Sequence, residues 1–330
     1  MKWVVTIMTK QVSESVRQWK RKVQVIIGKA GSGLLVENLR VQFEVSKTIE
    51  SAPNVAIIKI FNLHPDNEAK IKNEYDEVLL NAGYEDAMSQ IFSGNIKHVY
   101  RYRDKNDYIT EIEAGDGDKD FRNAVMNETL AAGTTNMQLV ERAVGTFKGV
   151  GGTTLGHVQI NDRARLRGKV ISGNTRDVLR DIARESGANW SIQDGQLVIV
   201  SANDVLPGEA IVIRADTGML GAPEINDKGI AVTCLLNPQI CVNGAIKLDN
   251  NGIKAKRQQA QALATKREKQ ETNPPLGRQS EQLVRLDPDG IYKVLKLSHK
   301  GDNRGQDWLT EIECIGLDQP IPATSKTRAV

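Results

Sequence analysis

The sequence predicts a mainly β protein in which two tube-like antiparallel β-barrels of similar design flank a small α/β domain. Three observations support this fold class. Apolar and polar residues alternate over much of the chain, as in strands that bury one face. The segments "YITEIEA" (108–114) and "WLTEIEC" (308–314) nearly repeat each other. Between them, the apolar spacing becomes helical at 134–147 and 174–187.

Length and composition bound the class of protein. A chain of 330 residues is long enough for two or three domains and for a core that needs no disulfide or metal. The net charge of +3 is weak evidence for a polyanion partner. Cys234, Cys241 and Cys314 include no C-x-x-C pair, which predicts reduced, buried thiols. The apolar run 3–8 is too short for a signal peptide, and no run approaches the 18 residues of a membrane span.

The first barrel is predicted over 23–118, after an N-terminal arm at 1–22. Clean alternation in "LRVQFEVS" (39–46) indicates a half-buried strand, and "VAIIKIFN" (55–62), apolar on both faces, indicates a more central one. Pro65 predicts a short helix over 63–72. Further strands are predicted at 77–84, 92–103 and 108–114, the last two forming a hairpin.

The α/β module is predicted over 119–204. It contains the helix 134–147, a glycine-rich loop at 149–156 and a strand at 167–172. A second helix begins after Asn174 as N-cap and ends at Gly187. Asp194-Gly195 predicts a tight hairpin turn inside 189–200.

The second barrel is predicted over 205–318 and is interrupted by a Lys-rich insertion at 251–286. The insertion favours helix by composition but lacks an apolar stripe, so we expect it to project from the barrel and to order only against a partner. Residues 319–330 are predicted to form a C-terminal tail.

Three blocks of the first barrel recur in the same order in the second. We align 56–63 with 231–238, 78–83 with 240–245, and 94–114 with 290–314. Three ordered matches predict one β domain present twice in the chain. A ring of n such chains offers 2n similar surfaces, so it can dock on a ring of twice its symmetry.

These blocks, in particular "LRVQFEVSKTIESAPNVAIIKIFNL" and "DGIYKVLKLSHKGDNRGQDWLTEIEC", resemble the central baseplate hub proteins of tailed bacteriophages and the spike proteins of type VI secretion. The resemblance spans about 25–318. It implies a homotrimer whose two barrels per chain form a pseudo-sixfold ring between the hexameric tail tube and the trimeric spike. Further partners would be the tape measure protein and other baseplate proteins, with genomic DNA only in transit. The implied location is the virion baseplate, assembled in the host bacterial cytoplasm.

The sequence offers little for catalysis or cofactors. No glycine-rich stretch has the order of a phosphate loop, and the four histidines lack metal-ligand spacing. "DGDKD" (116–120) lacks the glycine and terminal Glu of a calcium loop and favours a surface turn. We therefore expect no enzyme activity, cofactor or metal. Two alternatives stay open, a tail-associated peptidoglycan hydrolase and, from 168–200, a ring-forming module of a secretion channel.

The repeated strands supply the candidate site. Glu111 and Glu113 share one face of the first strand, and Glu311 and Glu313 share one face of the second. An unpaired buried carboxylate is costly, so we predict that these faces contact solvent or a partner. If they line a channel, their charge would repel DNA phosphates. The opposite faces, with Tyr108 and Trp308, are predicted to be core.

Overall fold

The computed structural model describes residues 18–29, 32–226, 229–248 and 290–317. The Lys-rich insertion, the C-terminal tail and most of the N-terminal arm lie outside these residues. The strands are β1 Arg21–Lys29, β2 Ser32–Val36, β3 Val41–Thr48, β4 Val55–Phe61, β5 Glu77–Tyr84, β6 Ala87–Asp104, β7 Asp107–Gly115, β8 Val125–Leu130, β9 Thr154–Val158, β10 Lys169–Asn174, β11 Ala188–Gln193, β12 Gln196–Ser201, β13 Ile211–Ile213, β14 Met219–Asn226, β15 Gly229–Leu235, β16 Ala245–Leu248, β17 Ile291–Asp302 and β18 Trp308–Gly316. The helices are α1 Pro65–Asn73, α2 Asp118–Asn123, α3 Asn136–Phe147 and α4 Thr175–Glu185, with one 3-10 turn, Ala215–Thr217.

Thirteen strands form one large sheet. Its main path runs β14-β15-β18-β17-β3-β4-β7-β6-β5-β1-β2, with β16 added to β17 and β13 added to β16. Every pairing in this sheet is antiparallel except β13 with β16. The mainly β, antiparallel fold class is therefore confirmed.

Two three-stranded units within the sheet have the same pairing. We call β4-β7-β6 the first β unit and β15-β18-β17 the second. In the pairing register, Glu111 and Glu113 of β7 lie opposite residues of β4, and Glu311 and Glu313 of β18 lie opposite the corresponding residues of β15. Both units also interrupt their ladder at one place, between Ile96 and His98 in β6 and between Val294 and Lys296 in β17. The two "TEIE" strands thus occupy equivalent positions, with one β-bulge beside each.

Two of the three sequence blocks are aligned wrongly. Ile58 lies opposite Ile112, and Val232 lies opposite Ile312, so the offset between β4 and β15 is one residue smaller than predicted. Because β4 is apolar on both faces, its pattern does not define the register. The second block fails because 240–244 is a turn, with Asn243 at φ 63°, and β16 begins only at Ala245.

The two β units are joined directly by a pairing that we call the seam. Residues 42–48 of β3 lie antiparallel to residues 296–302 of β17, with Val45 opposite His299. Since β3 also pairs with β4, the sheet continues without a break from one unit to the other.

Buried apolar side chains form three clusters. One lies under the first β unit, one under the second and one in the α/β module. The seam mixes the first two, because Trp308 belongs to the first cluster and Ile49 to the second. Trp308 packs edge-on against Phe43, with ring centroids 5.6 Å apart.

The module forms as its local sequence dictates. Helix α3 begins at a capping box in which Thr135 and Gln138 satisfy each other's backbone N–H groups, and its apolar stripe packs in the module core. Helix α4 follows Asn174, although the Asn174 side chain makes no capping bond. Asp194 and Gly195 both have positive φ, as a two-residue hairpin turn requires. These predicted elements are confirmed.

Cys234 and Cys314 are buried thiols as predicted, but Cys241 is exposed because it lies in the turn before β16. No helix among the described residues is long and apolar enough to cross a membrane.

Candidate functional site

The four glutamates of the repeated strands lie on the face of the sheet that points away from the apolar cores. Glu111, Glu113, Glu311 and Glu313 are half-buried, whereas the residues between them, such as Ile112 and Ile312, are buried. We call this side of β18, β17, β3, β4 and β7 the polar face.

Each unit gives its first glutamate a partner from the neighbouring strand. The Tyr102 hydroxyl donates to Glu111 at 2.8 Å, and burial together with this carboxylate raises the pKa of Tyr102. At the equivalent position of β17, the Lys300 ammonium group donates to Glu311 at 2.8 Å, which raises the pKa of Lys300. Lys59 also lies 3.5 Å from Glu111. The acids are therefore interleaved with cations and do not form purely acidic patches.

The polar face is concave where the two units meet. A shallow hollow of about 330 Å³ is lined by residues of β3, β15, β17 and β18, including Glu44, Lys296, Lys300, Glu311 and Glu313. This shape and the mixed charge suit a wetted surface along which another molecule can lie.

One core prediction for the repeated strands is wrong. Trp308 is buried, but its counterpart Tyr108 is 46% exposed. The Tyr108 ring lies under the guanidinium groups of Arg101 and Arg103, at 4.8 and 5.6 Å from the ring centroid. Without a described strand beside this end of β6, the ring has no apolar cover.

Among the strand edges that have no strand beside them within the part of the chain that the structure describes, two belong to the β units or flank them. β5 covers β6 only as far as Asn95, so residues 98–104 have β7 on one side and no strand on the other. β14 lies at one end of the described sheet, and β15 is its one partner among the described strands. The β6 edge exposes Tyr100 and Tyr102 beside Arg101, a composition typical of protein interfaces.

The aspartates at 116–120 are buried, so the predicted surface turn is wrong. Asp116 accepts the backbone N–H groups of Asp194 and Gly195 at 2.5 and 2.9 Å. Asp120 accepts those of Gly151 and Thr153 at 2.6 and 2.9 Å and so orders the glycine-rich loop. These carboxylates satisfy backbone donors that would otherwise be orphaned.

The α/β module is attached on both sides of the seam. Lys47 of β3, which is 6% exposed, donates to the Asp194 carboxylate at 2.6 Å. Lys293 of β17, which is 1% exposed, donates to the carbonyls of Ser201 and Ala202. Burial lowers the pKa of Lys293 to about 8. Sequence analysis missed both lysines, because a lysine in an alternating strand gives no sign of burial.

The described residues contain no group of three His, Cys, Asp or Glu side chains placed to hold a metal ion. Glu311 and Glu313 line an open hollow, and the hydrogen-bond partners of Glu111 and Glu311 are a tyrosine and a lysine. The arrangement suits contact with a macromolecule better than acid–base chemistry, which uses carboxylates in a cleft.

Comparison with known proteins gives a family and a fold. The family model described as "Baseplate hub gp41" matches residues 22–251. The prophage MuSo2 43 kDa tail protein of Shewanella oneidensis has a TM-score of 0.56 and 10% identity, over 90% of this chain and 99% of that one. A tail protein of Neisseria meningitidis MC58 has a TM-score of 0.56 and 9% identity, over 90% and 97%.

A third similar structure is an Escherichia coli protein, c3393, described as a component of the type VI secretion system with structural similarity to the T4 bacteriophage tail proteins gp27 and gp5. Its TM-score is 0.53 with 11% identity, over 91% of this chain and 79% of that one. At such identities the likeness is one of fold alone. No curated protein sequence matches the chain.

Proposed function

The chain belongs to the baseplate hub gp41 family, and from that premise we propose that it is the structural hub of a phage baseplate. It assembles as a homotrimer in which six β units, two from each chain, form a pseudo-sixfold ring. The ring connects the hexameric tail tube to the trimeric spike and lets DNA pass. In this proposal each β unit is the centre of one tube-like barrel, over 23–118 and 205–318, and 119–204 is the module between them.

The seam is the observation that carries this proposal. Within one chain, β3 pairs with β4 of the first unit on one side and with β17 of the second unit on the other, and this pairing joins the two units. By the shared pairing, the counterpart of β3 is β14, and the counterpart of residues 296–302 is 98–104 of β6. These are the two edges described above, each with no described strand beside it. Repeating the seam between chains places β14 of one chain on β6 of the next.

The shared register also predicts which residues meet across this second seam. In the seam, Ser46 lies opposite Ser298. In the shared register, Asn226 of β14 is the counterpart of Ser46, and Tyr100 of β6 is the counterpart of Ser298. In this proposal Asn226 of one chain therefore lies opposite Tyr100 of the next. Such a contact is heterologous, because it joins two different surfaces. It forms a closed ring only if a whole number of unit-to-unit rotations makes a full turn, as six units in three chains do with about 60° between neighbouring units.

The composition of the edges supports the same assembly. An uncovered edge strand is a template for aggregation unless a partner or a protective feature covers it. The β6 edge is rich in tyrosine and arginine, the residues most enriched at binding hot spots. In β14, Pro223 lies at a register shift of the edge strand, where its missing N–H is tolerated.

We propose further that the polar face lines the channel. A concave wall with interleaved Glu and Lys holds water and offers no continuous cationic track, so phosphates gain little from binding to it. Glu44, Glu111, Glu113, Glu311 and Glu313 outnumber Lys59, Lys296 and Lys300 on this face. The wall therefore lets DNA slide without adhesion.

The partners in this proposal are the tail tube protein, the spike protein, the tape measure protein and other baseplate proteins. The chain has a structural role without enzyme activity, and it assembles in the host cytoplasm before it becomes part of the virion. The peptidoglycan hydrolase and the secretion-channel module are the competing functions.

Cysteine cross-linking tests the trimer and its register together. In a Cys241→Ser background, Tyr100→Cys with Asn226→Cys places two thiols on facing residues, whose Cα atoms in an antiparallel pair lie about 4.5–5.5 Å apart, within disulfide range. Oxidation should give covalent dimers and trimers on a non-reducing gel. The control pair Tyr100→Cys with Val170→Cys, on the module surface, should stay monomeric.

Native mass spectrometry and electron microscopy of the wild-type chain should show a trimeric ring with six similar lobes. A stable dimer, or a ring of six chains, would contradict the proposal. Release of soluble fragments from purified cell walls by the chain would favour the hydrolase instead.

A further inference from the structure

The α/β module exposes one short stretch, residues 161–170, that we call the basic segment. It joins β9 to β10 and reads "NDRARLRGKV". Leu166 is 94% exposed and Val170 is 72% exposed, the two highest values among the large apolar side chains that the structure describes. Isolated exposed aliphatic residues are common, but two in five positions form a small apolar patch.

The charge of the basic segment is concentrated and only partly paired. It has four cations and one acid, a net +3, which equals the net charge of the whole chain and leaves the other 320 residues neutral. Arg165 pairs with Glu185 at 3.0 Å. Arg163, Arg167 and Lys169 make no ion pair with any described residue, whereas Arg142 and Arg180 of the same module are paired with Glu128 and Asp177.

The backbone of the segment is held in place, so the exposed side chains are presented on a fixed frame. Arg165 exchanges backbone hydrogen bonds with 133–134, and the Asp162 carboxylate accepts the Met137 N–H at 2.9 Å. A Cβ at Gly168 would lie 2.8 Å from the Leu130 carbonyl oxygen, so the backbone at Gly168 lies close to the backbone at Leu130. A fixed frame lowers the entropy cost of binding.

An open strand edge lies beside the patch. β10 pairs with β8 alone among the described strands, so its other edge can accept a further strand. A two-stranded ribbon is only marginally stable by itself, and an added strand would stabilise it.

We propose that the basic segment with the β10 edge is a docking site for an extended, acidic segment of another protein. Carboxylates of that segment pair with Arg163, Arg167 and Lys169, and its aliphatic side chains pack on Leu166 and Val170. Backbone hydrogen bonds to β10 give the affinity, as in other cases of strand addition. Arginine with aliphatic contact favours protein over nucleic acid here, because the segment has no aromatic side chain on which bases could stack. The site lies outside the ring contacts and does not depend on them.

A defined peptide tests the site without knowledge of the natural partner. The probe is a fluorescein-labelled, acetylated decapeptide that alternates glutamate with valine, titrated with the full chain in a fluorescence anisotropy assay. Control probes replace every glutamate by lysine or every valine by serine, and a ten-nucleotide oligothymidylate represents nucleic acid. The variants are Arg163→Ser with Arg167→Ser, and Leu166→Ser. The control variant is Arg142→Ser, an exposed arginine of the same module that pairs with Glu128.

We expect the glutamate–valine peptide to bind the wild type and Arg142→Ser alike, and to bind each site variant at least about tenfold more weakly, since each loses charge-assisted bonds or apolar contact. Both control peptides should bind more weakly than the probe. All variants change exposed side chains, and circular dichroism should show them folded. No binding to the wild type, equal binding to the site variants, or tighter binding of the oligonucleotide would each overturn the proposal.

Discussion

Replacing Asp116 by asparagine should remove a pH-dependent part of the stability at the junction of the first β unit and the α/β module. The Asp116 carboxylate is fully buried and holds the tip of the β11–β12 hairpin through two backbone N–H groups. Burial, and then the charge of Asp194, raise the pKa of Asp116 to about 6, while the Gly195 N–H and Lys47 oppose this. The side-chain amide of the variant cannot titrate.

The size of the effect follows from linkage. An acid whose pKa rises on folding takes up its proton at a higher pH in the folded state than in the unfolded state, so it stabilises the fold as pH falls through that range. With values of about 6 folded and 3.8 unfolded, the gain between pH 7 and pH 5 is on the order of 1 kcal/mol. The buried His299 acts in the opposite direction over the same range, so only the difference between wild type and variant is informative.

Urea unfolding followed by intrinsic fluorescence, at pH 7 and at pH 5, measures this difference. On moving from pH 7 to pH 5, the free energy of unfolding of the wild type should rise relative to that of Asp116→Asn by on the order of 1 kcal/mol. The same change in both proteins would refute the reasoning, because every other titrating group is common to the two.

Three further predictions concern the β units. Ile112→Ala and Ile312→Ala remove equivalent buried side chains, so each should lower the free energy of unfolding by about 2–5 kcal/mol in urea titrations; a loss under about 1 kcal/mol at either would contradict the equivalence. Glu311→Gln should cost less than about 1 kcal/mol in thermal unfolding, since its pair with Lys300 is half exposed, and a larger loss would mean that the pair is structural. Burial and then Lys47 lower the pKa of His299 to about 3, so the folded protein loses stability as pH falls below about 6.5, where His299 of the unfolded chain takes up a proton. His299→Gln should therefore reduce the fall of the melting temperature between pH 7.5 and pH 5. An unchanged dependence of the melting temperature on pH would exclude His299 as its cause.

Local features of this fold could be predicted from the sequence, because their causes are local. Pro65 begins a helix, Asp194-Gly195 makes a hairpin turn, and the alternation in β3 marks its buried face. The glutamates of the repeated strands could also be placed on one face, since the period of a strand is two residues.

Long-range features could not be predicted in the same way. The seam pairs residues about 250 positions apart, and neither the sequence of β3 nor that of β17 indicates which strand it pairs with. Lys47 and Lys293 look like exposed strand lysines, yet they are buried by a module that lies elsewhere in the sequence. The repeat was recognisable, but its register in β4 was not, because both faces of that strand are apolar.

The seam also has a consequence for folding during synthesis. Residues 296–302 leave the ribosome long after β3, which at about 5–20 residues per second is a delay of about 12–50 s. Through that interval the β3 edge is paired with β4 on one side only. On a polysome, β3 of one nascent chain could take β17 from a neighbour and give a domain-swapped product. Early docking of the α/β module through Lys47 would hold the edge in place until its own β17 arrives.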